Sequence, residues 1–303
     1  MKSKGKGRQK RLTKCKFIVN KLSGNAKKPT DVDDLTARLK THYDEVDVVY
    51  IDEEHDIKMV DEIDGYDALA VTGGDGTLNS AVNAVGRSKM ELYYVPSGTL
   101  NDAAQSLRLR QQLEKDKKKV RKVDIGQVGD KMFAYVFAGG IFTEIGYATK
   151  RNTKKHFKLL AYLGMVLRTY KIHRIKAKIE VDDRGVLEGE YTLVMAINSS
   201  RCFGFSFNKR FRHNDGKAQL LLLNAPKHDN IIGKIAIFFP LFKIFFTGLR
   251  QERNGRWIKF YDFNHLNVTL EEPTDFTVDG EKLTLDGENE IKIWKRKLNL
   301  VVF

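Results

Sequence analysis

The stretch VTGGDGTLNSAVNAV, residues 71–85, constrains the fold more than any other part of the chain. An apolar run at 67–71 ends in two glycines, and apolar residues then recur at i, i+3, i+4 and i+7 from Leu78. This change of period predicts a strand, a tight glycine turn and a helix. The free N–H groups and the dipole at a helix start favour an anion. Asp75 would repel a phosphate there unless a divalent cation lay between them, so the stretch predicts a site for a metal-bound phosphate.

The first half of the chain alternates between strand-like and helix-like segments. Apolar runs typical of strands lie at 16–20, 46–51, 67–71 and 92–95, and segments of helical character lie at 30–39, 54–63, 78–87 and 102–113. Such alternation predicts an α/β fold, a doubly wound parallel sheet with helices on both faces. Ligands of these sheets bind outside the carboxyl ends of the strands, which is where the glycine turn lies.

The pattern changes near residue 125. Most later segments read as antiparallel strands, and two helical stretches, 154–171 and 231–250, interrupt them. A chain of 303 residues is long enough for two domains. We predict a basic disordered tail at 1–15 and an α/β nucleotide-binding domain at 16–125. A mostly antiparallel β-sandwich domain with helices should follow at 126–303, and its last strand can return to the first domain.

Positive charge is concentrated at the start of the chain. The net charge is +14, and the first sixteen residues carry eight basic residues and no acid. No apolar core of a secretory signal accompanies them. Such a tail is either a solvated arm or a means of attraction to an anionic membrane surface, worth about 1 kcal/mol per basic residue. We find no motif of a nucleic-acid-binding module, so we expect no nucleic-acid partner.

Two further segments bear on membranes. The apolar segment 231–246 is interrupted by Lys234, Pro240 and Lys243 and falls short of the ~20 apolar residues that a span requires, so we expect a buried or interfacial helix. The segment 154–171 mixes basic and apolar residues, as in a surface-binding helix or a packed amphipathic helix with a solvated face. The two cysteines have no disulfide or zinc spacing, which fits a reducing cytosol.

Several motifs follow the glycine turn. PSGTLND at 96–102 again places a glycine, a hydroxyl and a carboxylate at the end of a strand, so the two turns should face one ligand. VDIG lies at 123–126, and Asp-Gly-Glu occurs at 279–281 and again at 286–288. No GxxxxGK[ST] sequence is present, so the phosphate site is not a Walker loop.

Together with NKLSG at 20–24, these motifs resemble, in order and spacing, the diacylglycerol kinase catalytic-domain family, and most of all its soluble bacterial lipid kinases. The resemblance runs from residue 16 to the end. It implies ATP binding at 16–125, lipid binding at 126–303, and a cleft in which the ATP γ-phosphate passes to the hydroxyl of diacylglycerol to give phosphatidic acid. It also implies Mg²⁺ as cofactor and a cytoplasmic protein, peripheral at the membrane inner face; a homodimer is left open.

The resemblance assigns a role to each matching residue. Glu281 matches the general base, and Asp75, Asp102 and Asp124 match the carboxylates that organise Mg²⁺, directly or through water. The matching nucleotide-binding positions are Asn20, Gly24, Gly73, Gly74, Asp75, Gly76, Thr77 and Thr99. A second, structural metal matches the Asp215 side chain with the carbonyl oxygens of Arg212 and Lys217. These roles suit phosphoryl transfer, which needs positioning, charge neutralisation and a carboxylate that takes the proton of the attacking hydroxyl.

Alternatives remain open at this stage. Apolar residues alternate around Glu288, so we predict a structural hairpin turn at 286–288 and choose Glu281 as the base. Lys21, Ser80, Ser97 and the Ala103-Ala104-Gln105 run depart from the family pattern and leave nucleotide and lipid choice open. A sphingoid base, ceramide or another lipid could be the acceptor. An NAD kinase shares a GGDGT-type turn, and a catalytically inactive membrane-binding relative is the non-enzyme alternative.

Overall fold

Four parallel strands form the N-terminal part of the fold in the order β2-β1-β3-β4. A computed structural model describes residues 13–23, 29–53, 62–109, 119–141 and 172–302. The first elements are β1 (Lys14–Asn20), α1 (Pro29–Lys40), β2 (Glu45–Ile51), β3 (Ala68–Gly73), α2 (Asp75–Val85), β4 (Glu91–Pro96) and α3 (Asp102–Ser106). The predicted helices at 54–63 and 154–171 and the predicted tail at 1–15 lie wholly or largely outside the described residues. β1 begins at Lys14, two residues before the predicted start of the first domain.

Helices cover both faces of this parallel sheet. On one face, the odd-numbered residues of β1, such as Phe17, pack with Val32 and Leu35 of α1. On the other face, Ile18 packs in a cluster that includes Val82 of α2. The alternation of strand side chains thus gives each helix its own apolar cluster. The expected α/β fold class is confirmed.

Two helix boundaries differ from the prediction. α2 begins at Asp75 rather than at residue 78, because Gly74 is extended and its carbonyl accepts the N–H of Leu78 at 3.1 Å. Gly73 and Gly74 therefore make the turn, and Asp75 belongs to the first helical turn. α3 ends at Ser106, short of the predicted residue 113, because Arg108 adopts a left-handed φ of 53° that a helix cannot continue. Residues 110–113 lie outside the described residues.

The second half is dominated by antiparallel strands. Its elements are β5 (Lys119–Val128), β6 (Lys131–Phe133), β7 (Val136–Gly140), β8 (Ile175–Val181), β9 (Val186–Ile197), β10 (Ala218–Asn224), α4 (Ile231–Thr247), β11 (Arg253–Asn254), β12 (Ile258–Phe263), β13 (His265–Val278) and β14 (Glu281–Val302). β7 and β8 both lie between β9 and β13, where each pairs with a different half of those long strands. The largest apolar cluster of the described residues includes side chains from all four of these strands. In it the Phe137 and Phe276 rings stack with their centres 4.8 Å apart.

α4 packs on the other face of β9 and β10. Its residues Ile237, Leu241 and Ile244 are buried in a cluster with Met195 and Phe260. Asn230 caps the helix, since its side chain accepts the N–H of Gly233 at 3.0 Å. The prediction of a helix in this region is confirmed. Among the described residues, no helix is long and apolar enough to cross a membrane.

β14 joins the two parts of the fold. It pairs with β13 first, then with β5, and its residues Asn299, Leu300 and Val301 pair in parallel with Glu91, Leu92 and Tyr93 of β4. Strand pairing therefore runs without a break from β11 to β2 through one sheet. β5 spans the predicted boundary at 125 and pairs with β14 along its length. The division into two domains stays a prediction.

The hairpin turn lies at the first Asp-Gly-Glu copy, 279–281, and not at the second copy, 286–288, where we expected it. Asp279 and Gly280, with φ of 49° and 97°, form the two-residue turn of the β13–β14 hairpin. Asp286, Gly287 and Glu288 lie within β14, opposite a register shift in β13 between Leu270 and Thr274. The predicted hairpin turn at 286–288 is wrong, because the positive φ of Gly287 serves an irregularity inside a strand pair rather than a chain reversal.

Candidate functional site

Three turns meet at the carboxyl ends of β1, β3 and β4. The side-chain amide of Asn20, at the end of β1, donates to the Thr77 hydroxyl at 2.8 Å. The Ser97 hydroxyl donates to the Ser23 hydroxyl at 3.1 Å, and its backbone N–H donates to the carbonyl of Gly73 at 2.8 Å. These contacts place the predicted nucleotide-binding residues Asn20, Gly73 and Thr77 in one cluster, at the edge where parallel sheets bind ligands.

Close backbone packing explains the glycines of two turns. A Cβ on Gly98 would lie 2.5 Å from the Gly74 Cα, and a Cβ on Gly73 would lie 2.2 Å from the Thr77 hydroxyl oxygen. Neither position has room for a side chain. By contrast, a Cβ on Gly76 meets nothing within 4 Å. Gly74 and Gly98 hold the two turns together, while Gly76 leaves the start of α2 open to solvent.

Asp75 joins the first helical turn of α2 to the start of α3. Its carboxylate accepts the backbone N–H of Asp102 at 3.1 Å and that of Ala103 at 3.2 Å. Burial raises the pKa of Asp75 to about 6, and the nearby Asp102 charge adds to the increase. Each carboxylate oxygen accepts one of these bonds and keeps a second lone pair. Asp75 is thus both a structural acceptor and a potential cation ligand.

Asp102 lies at the centre of a buried polar network. Its carboxylate accepts the N–H of Gly204 at 2.8 Å and the Tyr135 hydroxyl at 3.1 Å, and Arg201 contacts it at 3.3 Å. Burial raises the pKa of Tyr135 well above its usual value, which keeps its hydroxyl protonated as a donor. Arg201 therefore compensates the charge of Asp102, and the two donors fix the orientation of its carboxylate.

Asp279 is a buried site residue that the sequence analysis did not choose. Its carboxylate accepts three backbone N–H groups, from Ala134, Tyr135 and Val136, at 2.6 to 3.1 Å. Burial raises its pKa to about 7, and the Asp75 charge contributes to the increase. The Asn79 amide, when oriented to satisfy its neighbours, donates to Asp279 at 3.3 Å. The Asp279-Gly280 turn was a signal for this position, but nothing in the sequence indicated that the aspartate points inward.

Glu281 lies just beyond that turn and has a different environment. It is about half exposed, and its carboxylate pairs with Lys131 of β6 at 3.1 Å. No described hydrogen bond connects it to Asp75 or Asp102. Glu288 lines a separate cavity of 280 Å³ beside Gln127 and Trp294. The first Asp-Gly-Glu is therefore the copy whose aspartate lies near Asp75, and we call Asp75, Asp102 and Asp279 the carboxylate cluster.

Asp124 belongs to the second predicted metal group rather than to the glycine turns. Its carboxylate accepts the N–H of Gly216 and that of Arg296, each at 2.6 Å. Asp215 accepts the N–H of Lys217 at 3.0 Å, and burial, with a contribution from the Asp124 charge, raises its pKa. The Asn198 amide links this group to the rest of the site by donating to the carbonyls of Asp124 and Ala134.

The remaining predicted positions are more exposed. Gly76 and Thr99 are exposed, as are Arg212 and Lys217, and Gly24 lies outside the described residues. In the part of the chain that the structure describes, no group of three or more His, Cys, Asp or Glu side chains is arranged as a metal site. The predicted structural metal instead relies on one carboxylate and two carbonyl oxygens. Its role, like the other assigned roles, stays a prediction.

Comparison with known proteins confirms the resemblance. Residues 14–128 match the family described as the diacylglycerol kinase catalytic domain. A diacylglycerol kinase of Bacillus subtilis is 28% identical over 228 residues, 71% of each chain. One from Staphylococcus carnosus is 32% identical over 149 residues, 46% of this chain and 48% of the relative. The crystal structure of a diacylglycerol kinase from Bacillus anthracis shares the fold, with a TM-score of 0.69, 21% identity and coverage of 97% of this chain and 98% of that one.

Proposed function

We propose that this protein is an ATP-dependent lipid kinase that transfers the γ-phosphate of ATP to the hydroxyl of diacylglycerol and so forms phosphatidic acid. The observation that carries the proposal is the meeting of the 73–77 and 96–99 turns beside Asp75 and Asp102, within a segment that matches the catalytic-domain family. A two-domain arrangement, with ATP on the parallel sheet and lipid on the antiparallel strands, is part of the proposal. So is action in the cytoplasm at the inner membrane face.

The nucleotide phosphates would lie against the start of α2. The first N–H groups of a helix have no intrahelical acceptor, and the helix dipole adds positive potential there. The exposed Gly76 leaves room for a phosphate close to the backbone. Asn20 holds the Thr77 side chain, so the first turn of α2 is fixed before a ligand arrives. Binding there would cost little reorganisation.

Mg²⁺ fits the chemistry of the carboxylates. Burial raises the pKa values of Asp75 and Asp279, with contributions from the Asp102 charge at Asp75 and the Asp75 charge at Asp279, so a divalent cation would relieve an excess of buried negative charge. Asp75, with Asp102 behind it, would hold the ion, which when bound neutralises the phosphate charge. Asp124 would act with Asp215 at the structural metal rather than beside the phosphates, because its hydrogen bonds lie there.

Glu281 is the proposed proton acceptor. It is half exposed, and a surface ion pair such as that with Lys131 is worth about 0–1 kcal/mol, so the pair can open when an acceptor hydroxyl arrives. Asp279 is unsuited to this role because its carboxylate holds three N–H groups in a buried site. Asp279 instead fixes the hairpin turn from which Glu281 projects. A carboxylate base contributes about 10²- to 10⁴-fold to the rate of such a step.

Labelling a total lipid extract tests the proposed function. The purified protein is incubated with γ-labelled ATP, Mg²⁺ and the extract, and the labelled product is identified. Labelled phosphatidic acid is the expected product, and chelation of Mg²⁺ should abolish its formation. A phosphorylated sphingoid base or ceramide would support the lipid kinase activity but show that the acceptor is not diacylglycerol. Label that appears only in NADP when NAD is supplied, or in no product at all, would overturn the proposal.

A further inference from the structure

The outer face of α4 is apolar along the whole helix. Five exposed side chains follow one another at helical spacing: Ile231, Ile232, Ile235, Phe239 and Phe246. Phe239 is 65% exposed and Phe246 59%. The opposite face packs into the apolar cluster on β9 and β10. A 17-residue helix is about 25 Å long, so this face, which we name the α4 stripe, exceeds the scattered exposed residues of an ordinary surface.

The described charges on the α4 helix and next to its ends are mainly positive. The helix carries Lys234 and Lys243 and no acidic residue. Exposed Lys227 precedes the helix, and exposed Arg250 follows it. The nearest acid in sequence, Asp229, is paired with Arg174 at 2.6 Å. This combination of aromatic residues with an excess of cations on and beside the helix complements a surface that has negative head groups above an apolar layer.

A path of apolar residues connects the α4 stripe with the carboxylate cluster. The Phe205 ring lies 5.2 Å from the Phe245 ring and 5.8 Å from the Phe246 ring of α4. The neighbouring Gly204 donates its N–H to Asp102 at 2.8 Å. Exposed Leu100, in the 96–102 turn, approaches Gly204 closely, at 3.6 Å from the position of a Cβ on that glycine. The stripe therefore ends beside Asp102, which is proposed to support the Mg²⁺ ligand Asp75.

We propose that the α4 stripe inserts into the interfacial layer of an anionic bilayer and that diacylglycerol reaches the site along Phe205 and Leu100. The inference rests on the proposed function in one respect, since a lipid acceptor is the reason to approach a bilayer. A second copy of the chain is a poorer occupant. A symmetric α4–α4 contact would bring Lys234 and Lys243 of both copies to one interface, and the helix offers no acid to pair with them.

An environment-sensitive label tests insertion directly. Both native cysteines, Cys15 and Cys202, are buried, so a Phe239→Cys variant can be labelled selectively with the dye NBD. Val186→Cys, at an exposed apolar position on β9, is the matched control. Vesicles of equimolar phosphatidylcholine and phosphatidylserine should shift NBD emission at residue 239 to the blue and leave residue 186 unchanged. A shift at 239 that appears without vesicles would overturn the proposal, because a second copy or another part of the chain would cover the stripe.

Loss of the aromatic residues tests the energetic role of the stripe. Phe239→Ser and Phe246→Ser should each lower vesicle partitioning by about tenfold, while Val186→Ser should not. The ratio of turnover on bilayer diacylglycerol to turnover on dispersed short-chain diacylglycerol should fall by a similar factor. Circular dichroism checks that α4 remains folded.

The outcomes separate the two proposals. NBD insertion without phosphorylation of any lipid would overturn the proposed function and support the α4 stripe. Phosphorylation of dispersed diacylglycerol by a protein whose residue 239 stays in water on vesicles would support the kinase and overturn the stripe. An unchanged turnover ratio in both Phe variants would also overturn the stripe.

Discussion

The carboxylate of Asp75 accepts the backbone N–H of Asp102 at 3.1 Å, so one acidic residue of the site holds the backbone of the next. The same carboxylate accepts the N–H of Ala103. Asp75 was predicted from the sequence to organise Mg²⁺ and the nucleotide phosphates. The structure gives it a second function, because its loss would leave two N–H groups at the start of α3 without this acceptor.

This double function predicts different outcomes for two substitutions. Asp75→Asn removes the charge and keeps only one of the two oxygen acceptors, so turnover should fall by at least about two orders of magnitude with a partial loss of stability. Asp75→Ala should lose turnover equally and about 1 kcal/mol of unfolding free energy in addition. Kinase assays and urea unfolding measure the two effects. Wild-type turnover in Asp75→Asn would exclude a role in phosphate or metal binding.

The two Asp-Gly-Glu copies allow an internally controlled test of the base. Glu281→Gln should slow turnover by about two orders of magnitude or more and retain nucleotide binding, because only the proton acceptor is lost. Glu288→Gln, at the separate cavity beside Trp294, should change turnover little. Steady-state rates with titrated ATP distinguish these effects. Equal losses in the two variants, or a loss in Glu288→Gln alone, would show that the base is not residue 281.

Asp279 should make the stability of the metal-free protein depend on pH. Its pKa is raised from 3.8 to about 7, so between these values the folded state binds a proton that the unfolded state releases. The free energy of unfolding should therefore decrease as pH rises from about 4 to about 7, by at most about 1.4 kcal/mol per pH unit from this group. Chemical denaturation in the presence of a chelator measures the slope.

Asp279→Asn should reduce that slope, most clearly between pH 6 and pH 7, because Asp75, with its pKa raised to about 6, still contributes at lower pH. Asp275→Asn is the control, because Asp275 lies on the same hairpin but is exposed and has its pKa lowered by Lys282 and Thr284. It should leave the slope between pH 4 and pH 7 unchanged. A steep slope that survives in Asp279→Asn would assign the pH dependence to another group.

The contact between the glycine turns predicts a contrast between two glycines. Gly98→Ala would place a Cβ 2.5 Å from the Gly74 Cα and should cost about 1–3 kcal/mol of stability, with weaker ATP binding. Gly76→Ala meets open space within α2 and should leave stability unchanged or raise it by up to about 1 kcal/mol. Thermal unfolding measures both. Similar melting temperatures for the two variants would contradict the packing of Gly74 on Gly98.

The sequence predicted the parts of the site that depend on local pattern. Two glycine turns after successive parallel strands implied that Asp75 and Asp102 would be near each other, and they are in contact. Helix starts were less predictable, since Gly74 can begin a helix as well as make a turn. Two features depended on strand register: the burial of the Asp279 side chain, and the position of the hairpin turn at 279–280 rather than at 286–288. The alternation of apolar residues around each copy did not determine that register.

Contacts between distant parts of the chain had no sequence signal. Arg201 compensates the charge of Asp102 across 99 residues, and Arg296 donates to Asp124 across 172. The second contact depends on an irregularity in the β14–β5 pairing, where Arg296 has a left-handed φ of 53°. Such contacts follow from the complete fold, because no local spacing relates the partners.

The pairing of β14 with β4 bears on how this protein folds. The Asn299 side chain donates to the carbonyl of Lys89, 210 residues away. β4, the strand that precedes the 96–102 turn, pairs with β3 on one side and has β14 as its neighbour on the other. Contacts of such sequence separation slow folding, because a long loop must close first. A fragment cut near residue 125 would leave one side of β4 without its β14 partner, an unprotected strand edge prone to intermolecular association. Residues 14–125 should therefore be produced together with the last strand.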